Sequence, residues 1–238
     1  MVPQKHIITP ENLFGETIRT QVQLFATGTD AGSSVLDVGC GLRPYESFFT
    51  HCKYIGIDVE SSSKNSETKK PDHFFDGTHI PLKDKQIDAV ICTEVLEHCI
   101  APEELVLEMH RVLKPGGKVL ITVPFIWGIH EAPFDFRRYS PFGVSKLLED
   151  ANFEIIRLGR LTIGIDAIRQ VIASETNNHE CNLKEANAYS SLLLRLKRRF
   201  FKRLLSFFWD KGLRLWARLY IFERIYIDNV IVGMRKFN

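Results

Sequence analysis

Val35-Leu-Asp-Val-Gly-Cys-Gly41 is a short apolar run that ends in a pair of glycines. Such a run reads as a buried strand that enters a tight turn, because glycine accepts backbone angles that other residues resist. The next apolar run, Lys53-Tyr-Ile-Gly-Ile-Asp58, ends in an acid. In an open α/β sheet, ligands bind beyond the carboxyl ends of the strands. A turn that lets a backbone approach closely, next to a carboxylate able to accept two hydrogen bonds from a ribose diol, fits a ligand that contains a nucleoside.

Working outward, the chain alternates strands with helices. Upstream, Glu11 to Thr27 has helical apolar spacing. Downstream, strands are expected at His73–Asp76, Ile87–Thr93, Lys118–Val123, Phe153–Leu158 and Asn229–Met234. Ala101 to Leu113 reads as a helix with Pro102 near its start and Lys114-Pro-Gly-Gly117 closing it. Ser140-Pro141 opens another helix, with Ser140 as N-cap and Pro141 at the first helical position. Ser61 to Pro71 is polar and reads as a loop. This alternation predicts a mostly parallel sheet covered on both faces.

Two nucleoside cofactor classes compete for the glycine turn. A dinucleotide site wants G-x-G-x-x-G, but Gly39-Cys-Gly41-Leu-Arg-Pro44 has proline where the third glycine belongs. A cofactor without phosphates loses nothing by that change. Arg43 and Tyr45, beside that proline, are candidates to touch a substrate or a cofactor carboxylate; the plainer expectation is that Pro44 starts a helix.

Val35 to Gly41 resembles motif I of class I S-adenosylmethionine-dependent methyltransferases of the type 11-like family. Phe75-Asp-Gly-Thr78, Thr93-Glu-Val-Leu-Glu-His98, and Arg111-Val-Leu-Lys-Pro-Gly-Gly117 with Val119 to Pro124 are similar to later segments of that family, in the same order. The resemblance covers about residues 34 to 160. It implies a Rossmann-like sheet of seven strands, mostly parallel with an antiparallel last strand. Helices would cover both faces, and a helical insertion would separate strands six and seven. It implies S-adenosylmethionine as cofactor, held by Asp37, Gly39, Cys40 and Gly41 in the turn. Asp58 with Val59 would lie at the ribose, Asp76 with Gly77 at the adenine, and Thr93, Glu94 and His98 beside them. Asp76 also has the plainer role of a turn residue, since Asp-Gly is a frequent turn pair.

Methyl transfer from a sulfonium is an in-line displacement, so the protein must align the nucleophile and exclude water. A hydroxyl acceptor also gains from a general base. The polar run His130-Glu-Ala-Pro-Phe-Asp-Phe-Arg-Arg-Tyr139 follows the fifth strand and belongs at the same end of the sheet. His130 is the candidate base, because its reference pKa is near neutral; Glu131 and Tyr139 are the further catalytic candidates. The alternative is that His130, Asp135 and Arg138 brace a lid. The run resembles a subgroup of these methyltransferases associated with surface-polysaccharide or lipid-linked sugar pathways. No spacing typical of metal ligands is evident in the sequence.

The 238 residues carry a net charge of only +2, but its distribution is uneven. Ten basic residues face two acidic ones between Leu192 and Arg224, inside a stretch from 161 to 225 that is too long for a bare loop. The expected organisation is therefore a methyltransferase domain over 1–160 plus 226–238 and a basic helical insertion over 161–225. Leu192 to Trp209 places Leu193, Leu196, Phe200, Leu204 and Phe207 opposite Arg195, Arg198, Arg199, Lys202 and Arg203 on a helical wheel, with Lys197 and Trp209 as exceptions; Gly212 interrupts, and a second basic-aromatic stretch runs from Leu213 to Phe222. Three uses stay open for it: a lid or homodimer helix, contact with an anionic membrane surface, or nucleic-acid binding, which is the least favoured because its apolar face is wider than phosphate contact needs. Cys40, Cys52, Cys92, Cys99 and Cys181 read as reduced thiols of a cytoplasmic protein, free or peripheral at the inner face of the membrane. No leader or spanning segment is expected. The expected function is methyl transfer to oxygen or nitrogen of a small-molecule, lipid-linked or sugar-linked acceptor. The alternatives are RNA methylation and a methyltransferase-like binding protein without turnover.

Overall fold

A computed structural model describes residues 13–60, 70–163, 166–168, 171 and 226–237. In chain order these form helix α1 (Leu13–Thr27), strands β1 (Ser34–Val38), β2 (Lys53–Val59), β3 (His73–Phe75) and β4 (Ile87–Thr93), helix α2 (Pro102–Val112), strand β5 (Leu113–Pro124), helix α3 (Pro141–Asp150), and strands β6 (Phe153–Ile163) and β7 (Tyr226–Arg235). The strands make one sheet in the order β3-β2-β1-β4-β5-β7-β6. Neighbours from β3 through β5 are parallel, and β7 runs antiparallel to β5. This is the Rossmann-like sheet that the sequence implied.

The order carries a consequence for ligand binding. From β1 the chain turns to β2 on one side, and it later resumes with β4 on the other side. The carboxyl ends of β1 and β4 therefore flank the place where the winding reverses, where open α/β sheets bind ligands.

Each face is closed by helices because adjacent strand residues point to opposite faces. On one face Leu36, Val38, Ile57, Val90 and Ile121 meet Leu105, Met109 and Val112 of α2 and Val144 and Leu148 of α3. On the other, Val35, Ile91, Leu120 and Val230 meet Ile18, Val22 and Ala26 of α1. With both faces covered, the inner strands are mostly apolar rather than alternating.

Three local expectations need correction. Lys114 to Gly117 does not end a helix in a loop; it is extended and belongs to β5. The register steps from Ile87↔Leu113 to Ala89↔Lys118, so the extra residues bulge outward, and Gly116 at φ +76° supplies the bend. Pro44 does not start an α-helix, because only a single 3-10 turn, Glu46–Phe48, follows the glycine turn. Strands β6 and β7 are each longer than their apolar runs suggested.

The chain divides into two compact units, Phe14–Leu161 with Ile227–Asn238, and Met1–Leu13 with Thr162–Tyr226. Most of the second unit, including the basic segment 192–222, lies outside the described residues, as does most of the polar loop after β2. Among the described residues, no helix is long and apolar enough to cross a membrane.

Helix α3 starts as the sequence predicts, with Ser140 Oγ accepting from the Gly143 amide at 3.1 Å and Pro141 next. Ser140→Ala is expected to cost about 1 kcal/mol of stability. Urea unfolding checks it: the midpoint should fall with an unchanged slope.

Candidate active site

The glycine turn is tied to the neighbouring strand through its amides. Gly39 and Cys40 both donate to the Ile57 carbonyl, at 2.8 and 3.0 Å. Gly41 donates to Asp58 Oδ2 at 2.8 Å, and Asp58 Oδ1 accepts from its neighbour Val59 at 2.7 Å. The turn is possible because Gly39 and Gly41 lie at φ +74° and +49°. A Cβ on Gly39 would also stand 2.4 Å from Val95 Cγ2, so that position has no room for a side chain.

Asp58 is buried at the end of β2 and fastens the turn with one oxygen. A carboxylate offers about four lone-pair sites, so the anchoring leaves it able to accept from a diol as well. Val59 beside it is exposed. Asp37, on β1, is 1% exposed and accepts a hydrogen bond from the Tyr54 hydroxyl. Burial pushes its pKa up to about 7 against the lowering effect of Tyr54, and the Asp58 charge adds to the rise. Asp37 is thus a buried organiser of the β1–β2 pair.

Arg43 and Asp76 serve their own loops. Arg43 pairs with Glu46 at 2.9 Å and with Asp72 at 2.8 Å, while Asp72 also accepts from the Gly56 amide at 2.7 Å. The guanidinium therefore pins the turn to the β2–β3 connection. Tyr45 is half-buried, and burial raises its hydroxyl pKa against the lowering effect of the Thr93 side chain. Asp76 accepts from the amides of Thr78 and His79 at 2.8 and 2.7 Å, which hold its carboxyl below the ordinary range. Gly77 follows at φ +90° in the same turn. This geometry is that of an Asx turn.

Beyond β4 the chain makes another strained turn. Glu94 sits at φ +54°, and its Oε1 accepts from Thr122 Oγ1 of β5 at 2.7 Å. A 3-10 turn, Leu96–His98, then brings Glu97 fully under cover. The segment after β5 folds over this turn and is laced to it. Phe136 donates to the Glu97 carbonyl at 2.9 Å, His98 Nδ1 lies 2.6 Å from the Phe134 carbonyl, and Arg137 reaches the Cys99 and Ile100 carbonyls. Tyr139 contributes its hydroxyl to the Leu96 carbonyl at 3.4 Å, and its ring packs against the core.

His130 stands edge-on to His98, with ring centroids 4.8 Å apart. Its Nδ1 lies 3.2 Å from the Gly128 carbonyl and 3.4 Å from Asp135 Oδ2. Asp135 is held by Arg138, which donates to Oδ2 at 2.8 Å and holds the carboxyl well below the usual range. Arg138 also donates to the Gly128 carbonyl at 3.0 Å. His130, Asp135 and Arg138 thus form a brace. Glu131 is exposed at φ +51° on the rim of the segment.

Two acids that the sequence did not single out belong to this end of the sheet. Glu97 is 0% exposed, and neither of its oxygens has a hydrogen-bond partner. Burial, then the charge of Glu94, pushes its pKa up to about 9. Asp228, near the start of β7, is equally buried with both oxygens unpartnered; burial first, then Glu94 and Glu97, raises its pKa strongly. Glu94 itself is pushed up to about 7 by burial. The one sequence signal for Asp228 was an acid abutting an apolar strand, which is too common to read as a site.

Residues 36–121 match a family described as a methyltransferase domain. A probable S-adenosylmethionine-dependent methyltransferase of Mycolicibacterium smegmatis is 31% identical over 139 residues, which cover 52% of this chain and 53% of that protein. A tRNA (carboxymethyluridine(34)-5-O)-methyltransferase of Arabidopsis thaliana is 33% identical over 112 residues, covering 43% of this chain and 27% of that one. The chain thus spans about half or less of the length of these relatives. Among solved structures, the cyclase SpnF superposes with a TM-score of 0.61 at 16% identity, over 97% of this chain and 86% of that chain. At that identity the likeness speaks for the fold alone.

The state of Asp37 yields a pH prediction. Tyr54, Asp58, Arg43 and Cys40 are the ionisable groups acting on or beside it. Folded Asp37 keeps its proton to about pH 7, whereas the unfolded carboxyl releases it from about 3.8. Stability from this group is full below pH 4 and is lost as pH rises through 7. Asp37→Asn removes the dependence. Between pH 5 and pH 8, the unfolding free energy of the variant should shift by about 2–3 kcal/mol in its favour relative to the parent. Urea titrations at the two pH values measure it, and parallel curves would refute the assignment.

Proposed function

We propose, from the match of residues 36–121 to a methyltransferase domain, that the chain is a class I S-adenosylmethionine-dependent enzyme that transfers the methyl group of this cofactor to an acceptor. The acceptor lies over the turn after β4 and the segment after β5. The observation that carries the reading is the joint between the two parallel strand ends. Gly39 and Gly41 shape a turn without side chains, and the buried Asp58 stands beside it at the reversal of strand order. In this reading Asp58 accepts from the ribose hydroxyls. Gly39, Cys40 and Gly41 give the cofactor a close backbone wall, and Asp37 fixes that wall from below. Thr93, Glu94 and His98 flank the cofactor on the β4 side; Val59, Asp76 and Gly77 flank it on the β2 side.

The acceptor is proposed to be a hydroxyl or amine of a small-molecule, lipid-linked or sugar-linked compound. The support is chemical. Glu97, His98 and His130 bring acid–base groups together where the laced segment buries Glu97, which suits a nucleophile that must lose a proton. An RNA acceptor is the rival reading, because one relative is named as a tRNA methyltransferase. A binding protein without turnover is the third, because one fold can host unrelated functions.

Calorimetric titration with S-adenosylhomocysteine tests the cofactor site. The full chain should bind one equivalent, Asp58→Ala should weaken binding roughly 10- to 100-fold, and absence of binding by the parent would overturn the reading. Gly39→Ala should abolish binding, since the added methyl meets Val95. Labelled-methyl transfer into separated small-molecule, lipid and RNA fractions then sorts the acceptors. His130→Ala should bind S-adenosylhomocysteine as the parent does, yet lose roughly 100-fold or more in turnover.

A further inference from the structure

Glu97, His98 and His130 each present one ligand atom, and these atoms lie within 4.8 Å of one another. We propose that they form a binding site for one divalent transition-metal ion of the zinc class. The inference rests on the methyltransferase reading only for its use, not for the site itself.

Both imidazoles are already set for metal binding. His98 Nδ1 faces the Phe134 carbonyl at 2.6 Å, and a carbonyl can only accept, so Nδ1 carries the proton. The lone pair is then on Nε2, which lies 3.6 Å from Glu97 Oε1. His130 Nδ1 faces only acceptors, the Gly128 carbonyl at 3.2 Å and the Asp135 carboxylate at 3.4 Å, so its lone pair is likewise on Nε2. Metal-bound histidines characteristically donate their other N–H to a carbonyl or carboxylate, which fixes the tautomer and aims the ring. Here one histidine has a carbonyl and the other has both.

The independent observation is Glu97. Its side chain is fully buried, both oxygens lack a hydrogen-bond partner, and it borders the His98 Nε2 lone pair. An unpartnered buried carboxyl costs free energy unless something satisfies it. A cation shared with the two imidazoles does so. Ligands of a tetrahedral ion with ~2.1 Å bonds stand roughly 3.4 Å apart, so the cluster needs only modest closure. Asp228 is likewise buried with both oxygens unpartnered.

Two imidazoles and one carboxylate select a borderline transition metal over magnesium or calcium, which prefer all-oxygen sites. Three protein ligands leave an open position for water or an acceptor oxygen. In a methyltransferase, an acceptor hydroxyl bound there would ionise more readily. The rigid frame comes from Asp135 and Arg138, which hold His130, and from the lacing of Phe134 and Phe136 onto the Glu97–His98 turn.

The test uses the full chain, stripped with a chelator, titrated with zinc chloride by calorimetry and with cobalt chloride by visible absorption. The parent should bind one zinc equivalent tightly and give cobalt bands typical of low coordination number. Glu97→Gln, which keeps size and shape, and His130→Ala should each weaken binding by roughly 100-fold or more. Circular dichroism confirms that each variant is folded. Binding that is absent in the parent, or unchanged in folded Glu97→Gln, overturns the site. S-adenosylhomocysteine binding is measured on the same samples. Zinc binding without it would sink the methyltransferase reading and keep the metal site; the reverse result would sink the metal site alone.

Discussion

The amides of Gly39, Cys40 and Gly41 all end on the last residues of β2. Two share the Ile57 carbonyl, and the third meets the Asp58 carboxylate. The first connection of the sheet therefore cannot move independently of the second strand. Everything at this end of the molecule inherits that rigidity. Asp37 and Tyr54 bond across the same pair of strands, and Arg43 carries the restraint on to Asp72. A ligand wall made of backbone needs this support, because glycines alone have too much freedom to hold a shape.

The opposite side of the crevice is fixed differently. Strand β4 is followed by Glu94, whose positive φ turns the chain sharply, and the segment from Phe125 to Tyr139 is laced to that turn. Its anchors are largely side chain to carbonyl: His98 to Phe134, Arg137 to Cys99 and Ile100, Tyr139 to Leu96. Such a cover excludes water from Glu97, and burial in turn makes its carboxyl a weak acid. Rigid backbone on one wall and buried ionisable groups on the other are the two conditions that group transfer requires, one for alignment and one for proton handling.

Legibility followed the range of the interactions involved. The glycine turn and Asp58 could be read because each is a local signal: a strand ending in residues that only a tight turn demands, and an acid at the next strand's end. The cap at Ser140 was legible for the same reason. Asp76 was ambiguous in sequence, and its two backbone hydrogen bonds show its part as a turn former. The proposed helix at Pro44 was misjudged because proline suits several kinds of first turn. Lys114 to Gly117 was read as a stop, yet the sheet recruited it as a bulge, since pairing with β4 continues on both sides of it.

By itself the sequence determined the order of strands and helices, the covering of both faces, the shape of the cofactor turn and the position of its acid. Periodicity and turn chemistry are written into neighbouring residues, so they survive without coordinates. Only the tertiary structure decided that Glu97, His98 and His130 converge, that Asp228 stands beside them unpaired, and that Asp135 and Arg138 brace His130. Those residues come from three separate stretches, 97–98, 130–138 and 228, that carry no shared spacing. They meet because parallel strands β4 and β5 end side by side, and burial then sets their charge and their partners.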